Sequence, residues 1–241
     1  MERCDYNMLE LKNVAIGYDG RYLIPRVSLT FEPGKVYSVV GKNGSGKSDL
    51  LRTCAGLGKL RTGSVVLNGT DVYTLSSQEL SQKISFFDSN RKTGRLTSKK
   101  LIAQGLQAGR KKLTDSQWGK VFSTLGMMQV SGLAAYPLQN LSCGERQRVQ
   151  LAAEIIKNTS VLVLDDPMAN LDPEFRQILM KYLIKLRDEG KIIIMALHDL
   201  DLALRCSDEI LVIEAGRQIH RGTPEKLLEE KRLQQMFHIE L

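Results

Sequence analysis

The sequence lacks what would tie it to an oxidising compartment or a membrane interior. Its four cysteines (Cys4, Cys54, Cys143 and Cys206) are widely scattered with no metal-type pairing, so neither a disulfide framework nor a zinc scaffold is written into it. No apolar run approaches the ~20 residues of a membrane span. The start Met1-Glu2-Arg3-Cys4-Asp5 has no apolar segment of the signal-peptide kind. A reduced chain in the cytosol is the expectation. There is no low-complexity linker and no internal repeat. Acid is missing from one stretch: between Ser89 and Thr114 stand Arg91, Lys92, Arg95, Lys99, Lys100, Arg110, Lys111 and Lys112, and no Asp or Glu, enough to exceed the whole net charge of +7. Such a run is a solvated face, or a surface that meets anionic lipid, an acidic partner or nucleic acid. Aromatics are scarce in it, which disfavours base stacking.

What is present is a chain of 241 residues, 42% hydrophobic, enough to bury a sizeable core as one domain or one domain with an inserted lobe. Residues 41–48 read Gly-Lys-Asn-Gly-Ser-Gly-Lys-Ser, after the apolar run Val36–Val40 and before a helix start at Asp49-Leu50-Leu51-Arg52. A strand, a glycine-rich loop and a helix form a phosphate cradle. Gly41, Gly44 and Gly46 let backbone N–H groups converge, and the helix N-terminus adds a favourable dipole. Lys47 reaches the terminal phosphates and the Ser48 hydroxyl ligates Mg²⁺. A plain glycine-rich turn is the alternative, but these residues at these offsets point to a nucleotide triphosphate.

Leu9/Leu11 and Val27/Leu29/Phe31 alternate with polar residues, as half-buried strands do. Glu32-Pro33-Gly34-Lys35 is a turn, and Val65–Gly69 a strand entering a tight turn. Three apolar runs do not alternate: Val161–Leu164, Ile192–Leu197 and Ile210–Ile213. These suit parallel strands buried on both faces. Between the first two, Phe175, Ile178, Leu179, Tyr182, Leu183 and Leu186 mark one face of a helix stopped by Gly190. The pattern predicts α/β architecture, with an inserted, mostly helical lobe from about 90 to 145.

The run Val161–Leu164 delivers Asp165 and Asp166 where an open parallel sheet places its ligands. Asp165 is a candidate Mg²⁺ holder, and Asp166 a candidate to orient or deprotonate the attacking water. A helix cap or turn is the alternative for the pair. Ser142 in Leu141-Ser142-Cys143-Gly144-Glu145-Arg146-Gln147-Arg148 reads as an N-cap, followed by a helix with Val149, Ala152, Ala153 and Ile156 on one face. Taken together, residues 41–48, 141–148 and 161–172 resemble the Walker A, signature and Walker B/D-loop motifs of ABC transporter nucleotide-binding subunits, in order and spacing. Ala169–Asp172 resembles the D-loop, His198 the switch histidine, and Tyr18 the aromatic that stacks on adenine. Leu101–Gly105, Leu197–Ala203, Gly216–Ile219 and Gly222–Glu225 are most similar to the importers of ferric siderophores, haem and cobalamin.

That resemblance implies a P-loop NTPase core, mostly parallel, with an N-terminal antiparallel β subdomain and an inserted helical subdomain, in one domain over 1–241. It implies ATP and Mg²⁺ as ligands, with nucleotide contacts at Tyr18, Gly41, Lys42, Asn43, Gly44, Ser45, Gly46, Lys47, Ser48, Asp49, Ser142, Gly144 and Glu145. Metal contacts fall on Ser48, Asp165 and Ser89, and catalytic roles on Asp166 and His198. A second copy or a homologous subunit would face this one head to tail, with ATP between residues 41–48 of one and Ser142/Gly144 of the other. Transmembrane permease subunits would receive the motion, fed by a substrate-binding protein, with the chain peripheral on the cytoplasmic face of the membrane and no nucleic acid partner. The basic stretch would then turn toward the permease. This sequence departs from the family pattern at four positions. Asp166 stands for Glu, Cys143 for Gly, Ser89 for Gln and Asp49 for Thr. A non-transport ABC ATPase and a catalytically weakened subunit are the alternative functions.

Overall fold

Two kinds of strand pattern give two sheets. The computed structural model describes residues 8–18, 21–91, 94–107, 112–214 and 218–230. In chain order the strands and helices are β1 (Leu9–Tyr18), β2 (Arg21–Phe31), β3 (Lys35–Gly41), α1 (Lys47–Cys54), β4 (Leu60–Leu67), β5 (Thr70–Asp71), α2 (Ser77–Lys83), β6 (Ile84–Asp88), α3 (Ser98–Gln107), α4 (Asp115–Met127) and α5 (Cys143–Ile155). Then follow β7 (Val161–Asp165), α6 (Pro173–Asp188), β8 (Ile192–Ala196), α7 (Leu200–Cys206), β9 (Glu209–Glu214), β10 (Gln218–Gly222) and α8 (Pro224–Glu229).

The alternating strands make an antiparallel sheet in the order β2-β1-β4-β5, with Leu9 opposite Phe31 and Leu11 opposite Leu29. Asn68 and Gly69, both at positive φ (51° and 79°), turn β4 into β5. The non-alternating strands make a second sheet, β10-β9-β3-β8-β7-β6, parallel except for the β9–β10 hairpin. Both of its faces are covered. Val161, Val163, Ile192 and Ile194 pack with Leu50 and Leu51 of α1 and with Leu9 and Phe31 of the antiparallel sheet. Leu162, Leu164, Ile193 and Met195 pack on the opposite side with Val149, Phe175, Leu179 and Leu183. A parallel sheet needs this double cover, because crossover helices bury both faces.

Register places the site. Asp88, Asp165 and Ala196 sit level at the C-terminal ends of β6, β7 and β8, and Val39 of β3 is level with Ala196. The loops that follow these four strands therefore converge on one edge.

Between β6 and β7 the chain forms α3, α4, 3₁₀ turns at 131–133 and 138–140, and α5, with one short bridge between Thr97 and Pro137. Thr114 with Gln117, and Ser142 with Glu145, start α4 and α5 through reciprocal capping boxes. Gly105 lets α3 lie against α5: a Cβ there would stand 2.7 Å from both the Ala153 carbonyl oxygen and Ile156 Cγ2. Gly105→Val should force the two helices apart and cost about 1–3 kcal/mol, as overpacking does. A urea-denaturation midpoint unchanged from the parent would show that the contact yields without strain.

Candidate functional site

The loop leaving β3 is built around its own carbonyls. Lys47 Nζ donates to the carbonyl oxygens of Gly41 (2.7 Å) and Lys42 (3.2 Å), and Ser45 N–H donates to Lys42 O (3.1 Å). Gly46 takes φ 100° at the N-cap of α1, with no side chain capping the helix, which leaves the first-turn N–H groups to a ligand. A Cβ at Gly41 would meet Ile213 O and Ser45 Oγ, each at 2.7 Å. Ser45 Oγ is buried without a hydrogen-bond partner among the described residues. An orphaned buried hydroxyl beside uncapped amides and a buried lysine is a donor set that fits phosphate oxygens. Burial pulls the Lys47 ammonium below its ordinary range, opposed by Asp165 and Asp166. Lys42, Asn43 and Gly44 lie exposed along the rim, and Asp49 is half-buried in the first turn of α1.

Opposite the loop, β7 presents Asp165 only 6% exposed. Burial pushes its carboxyl up, a hydrogen bond from Ser48 pulls it back, and Asp88 adds a smaller push. A buried carboxylate at the end of a parallel strand and the Ser48 hydroxyl that favours its charged form are hard oxygen donors suited to Mg²⁺. Asp166 follows at φ 51°, a left-handed conformation that a short Asp tolerates better than most residues. Its Oδ2 lies 3.8 Å from His198 Nε2, and His198 is exposed. Ser89, just past Asp88, donates its backbone N–H to Asp165 O at 3.4 Å. Tyr18 ends β1, but its side chain is outside the described residues.

The Ser142 turn is a separate exposed unit. Ser142 Oγ accepts from Glu145 N–H (3.3 Å), while Glu145 Oε2 accepts from Ser142 N–H (2.9 Å) and Oγ (2.7 Å). These bonds hold the Glu145 carboxyl below its ordinary range. Cys143 is exposed. Behind this turn, α5 is tied to the loop after Asp166. Buried Gln147 donates to Pro167 O (2.8 Å) and accepts from Asn170 Nδ2 (3.3 Å). Arg148 pairs with Asp172, itself the N-cap of α6, and lies 4.0 Å from the Phe175 ring centroid.

A phosphate loop, a strand-end Asp-Asp and a capped signature turn on one α/β frame match a known family model. The model for the ABC transporter family covers residues 24–169. The chain belongs to the ABC transporter family. As a member it is an ATPase that uses ATP with Mg²⁺. It is 33% identical over 233 residues to the petrobactin import ATP-binding protein YclP of Bacillus subtilis, covering 95% of this chain and 92% of that one. It is 32% identical over 237 residues to the zinc import ATP-binding protein ZnuC of Halorhodospira halophila, covering 98% and 85%. A dimeric ATP-binding cassette in a post-hydrolysis state, bound to ADP and Pi, superposes with a TM-score of 0.81 at 25% identity, covering 90% and 98%. No helix among the described residues is long and apolar enough to cross a membrane.

Within this ABC subunit, Gly41 and Asp165 end β3 and β7, and residues 42–48, Ser89, Asp166 and His198 follow β3, β6, β7 and β8. Ser142 and Glu145 instead bond to one another, Ser142 O accepts from Arg146 N–H, and Gly144 lies against Asn170. Lys92, Arg110 and Lys111 of the basic stretch, and Gly216 and Arg217 of the tail segment, fall outside the described residues. Motif reading passed over Arg52, Gln147 and Arg148. The spacing of Arg148 and Asp172 across a strand gives no sign that they meet.

Gly144 is where the signature turn and the D-loop touch: a Cβ there would stand 2.7 Å from Asn170 O. Gly144→Ala should therefore displace the 166–172 loop. ATP turnover should fall roughly tenfold or more, since misplacement of about 1 Å costs up to a hundredfold. ATP binding to the isolated chain should hold. Turnover equal to the parent's, measured by phosphate release, would show the loop can retreat without consequence.

Proposed function

We propose that this chain is the ATP-hydrolysing subunit of an importer for an iron chelate, haem or cobalamin, and that two copies bind ATP between them head to tail. One observation carries the paired reading. The loop at 41–48 and buried Asp165 form one half of a nucleotide site, while the exposed Ser142 turn is spent on its own capping box and on Asn170. A second copy supplies the missing half. Relatives named for petrobactin import support an iron chelate as cargo.

The whole chain 1–241 then acts as one ATPase domain, with about 90–145 as its helical lobe. It lies peripherally on the cytoplasmic face of the membrane against permease subunits, with a substrate-binding protein acting indirectly. Lys47, Ser45 and the amides at the start of α1 hold the phosphates, and Tyr18 stacks on the base. Ser48, Asp165 and Ser89 hold Mg²⁺, which supplies positive charge against the phosphate oxygens. Asp166 holds the attacking water and takes its proton, with His198 beside it at the γ-phosphate. Closed pairs bind ATP better than open ones, and that difference drives the permease between two states.

Asp166→Asn should lower turnover at least about a hundredfold, the lower range for loss of a general base. ATP affinity should change little. Asn is at ease at positive φ, so the backbone is spared. The variant should also accumulate an ATP-bound dimer by light scattering, while Asp166→Glu keeps or raises turnover. Parental hydrolysis by Asp166→Asn would remove Asp166 from the catalytic role.

Ser142→Arg should abolish that ATP-dependent dimer in the Asp166→Asn background and leave single-site ATP binding intact. Normal dimerisation would sink the head-to-tail arrangement.

A further inference from the structure

Arg52, in the last turn of α1, donates from Nη2 to Asp88 Oδ2 at 2.5 Å. Its guanidinium also sits 5.7 Å from the Phe86 ring centroid. Arg52 is four residues beyond Ser48, so both point from one face of the phosphate-loop helix. Their partners are likewise neighbours: Asp88 and Asp165 are paired in the β6–β7 register, on strands ~4.8 Å apart. The result is a rectangle. Ser48–Asp165 is one edge, Arg52–Asp88 the opposite edge, and α1 and the two strand ends are the sides.

The second edge has no evident structural purpose. Arg52 is 43% exposed, and an ion pair so placed contributes little to stability. Asp88 has Arg52 as its ion-pair partner, while the cations across the adjoining groove, Arg91 and Lys157, both pair with Glu154. The other Asp88 oxygen accepts Asn90 N–H at 2.9 Å. The charge of Asp88 next to Asp165 is thus balanced through Arg52.

We propose that Arg52 and Asp88 are positioning residues that set how strongly the Ser48–Asp165 edge holds Mg²⁺, with Asp88 attracting the cation and Arg52 masking it. The proposal rests on Ser48 and Asp165 as the metal-holding pair. It makes a signed demand that a purely structural ion pair would not. Removing Arg52 unmasks a carboxylate beside the metal and strengthens Mg²⁺ binding. Removing Asp88 leaves a bare guanidinium and weakens it.

The measurement is the affinity of the full-length chain for a fluorescent ATP analogue, in saturating Mg²⁺ and again in EDTA. The ratio of the two affinities cancels effects on the nucleotide alone. Arg52→Gln should raise the ratio at least about fivefold, and Asp88→Asn should lower it by a similar factor. The double variant should return near the parent, and Arg52→Lys, which keeps the charge, should match the parent. Thermal melts identify any variant that fails to fold, in which case Arg52→Met and Asp88→Ser, which make the same changes of charge, carry the comparison. Shifts of the same sign in both single variants, or no shift in either, overturn the proposal. Asp165→Asn tests the reading beneath it: an unchanged ratio in that variant removes Asp165 as a metal holder and the proposal with it, whereas a collapsed ratio there, with no opposed shifts at Arg52 and Asp88, overturns the proposal alone.

Discussion

A carboxylate carried to the end of a fully buried strand dictates much of what surrounds it. Asp165 closes a strand of apolar residues that water does not reach, so its charge must be met by protein groups or by a cation. The Ser48 hydroxyl favours its charged form, which requires α1 to lie against β7 and the preceding loop to wrap back over the strand ends. Lys47, buried in the same turn, then places its ammonium on the loop carbonyls. The cradle and the Ser48–Asp165 edge are two consequences of one burial.

The two hydrophobic clusters keep that edge in place. Odd and even residues of β3, β7, β8 and β9 enter opposite clusters, so a slip by one residue would exchange the contents of both faces. Because Asp88, Asp165 and Ala196 share one level, a slip would also part the groups gathered at that edge. Packing specificity and site geometry are enforced by the same register.

Some of this was legible in the sequence for a physical reason. The chemistry of the 41–48 loop and of Asp165-Asp166 depends on local backbone shape, which short spacings encode. The apolar runs at 161–164, 192–197 and 210–213 announced buried parallel strands because crossover helices leave no polar face. Gly190 and the Asn68-Gly69 turn were equally plain, since both take positive φ. By contrast, Arg52 with Asp88 and Arg148 with Asp172 meet across 36 and 24 residues. Such meetings follow from the arrangement of strands, and no local pattern foretells them. Gln147 was visible as a letter in a motif, but its two bonds to the 167–170 loop exist only once α5 lies beside β7.

The contact between Gly144 and the Asn170 carbonyl has a consequence for how such a chain can change over time. A side chain at 144 is admitted only if the backbone at 170 withdraws, and that backbone is fixed by Gln147 and, through Asp172, by Arg148. Gly144, Gln147, Arg148, Asn170 and Asp172, five positions from two stretches of the chain, therefore form one evolutionary unit. Single substitutions within it meet resistance from the other four, whereas exposed Cys143 takes no part in these contacts. Change at any one of the five should accordingly require matched change in the others.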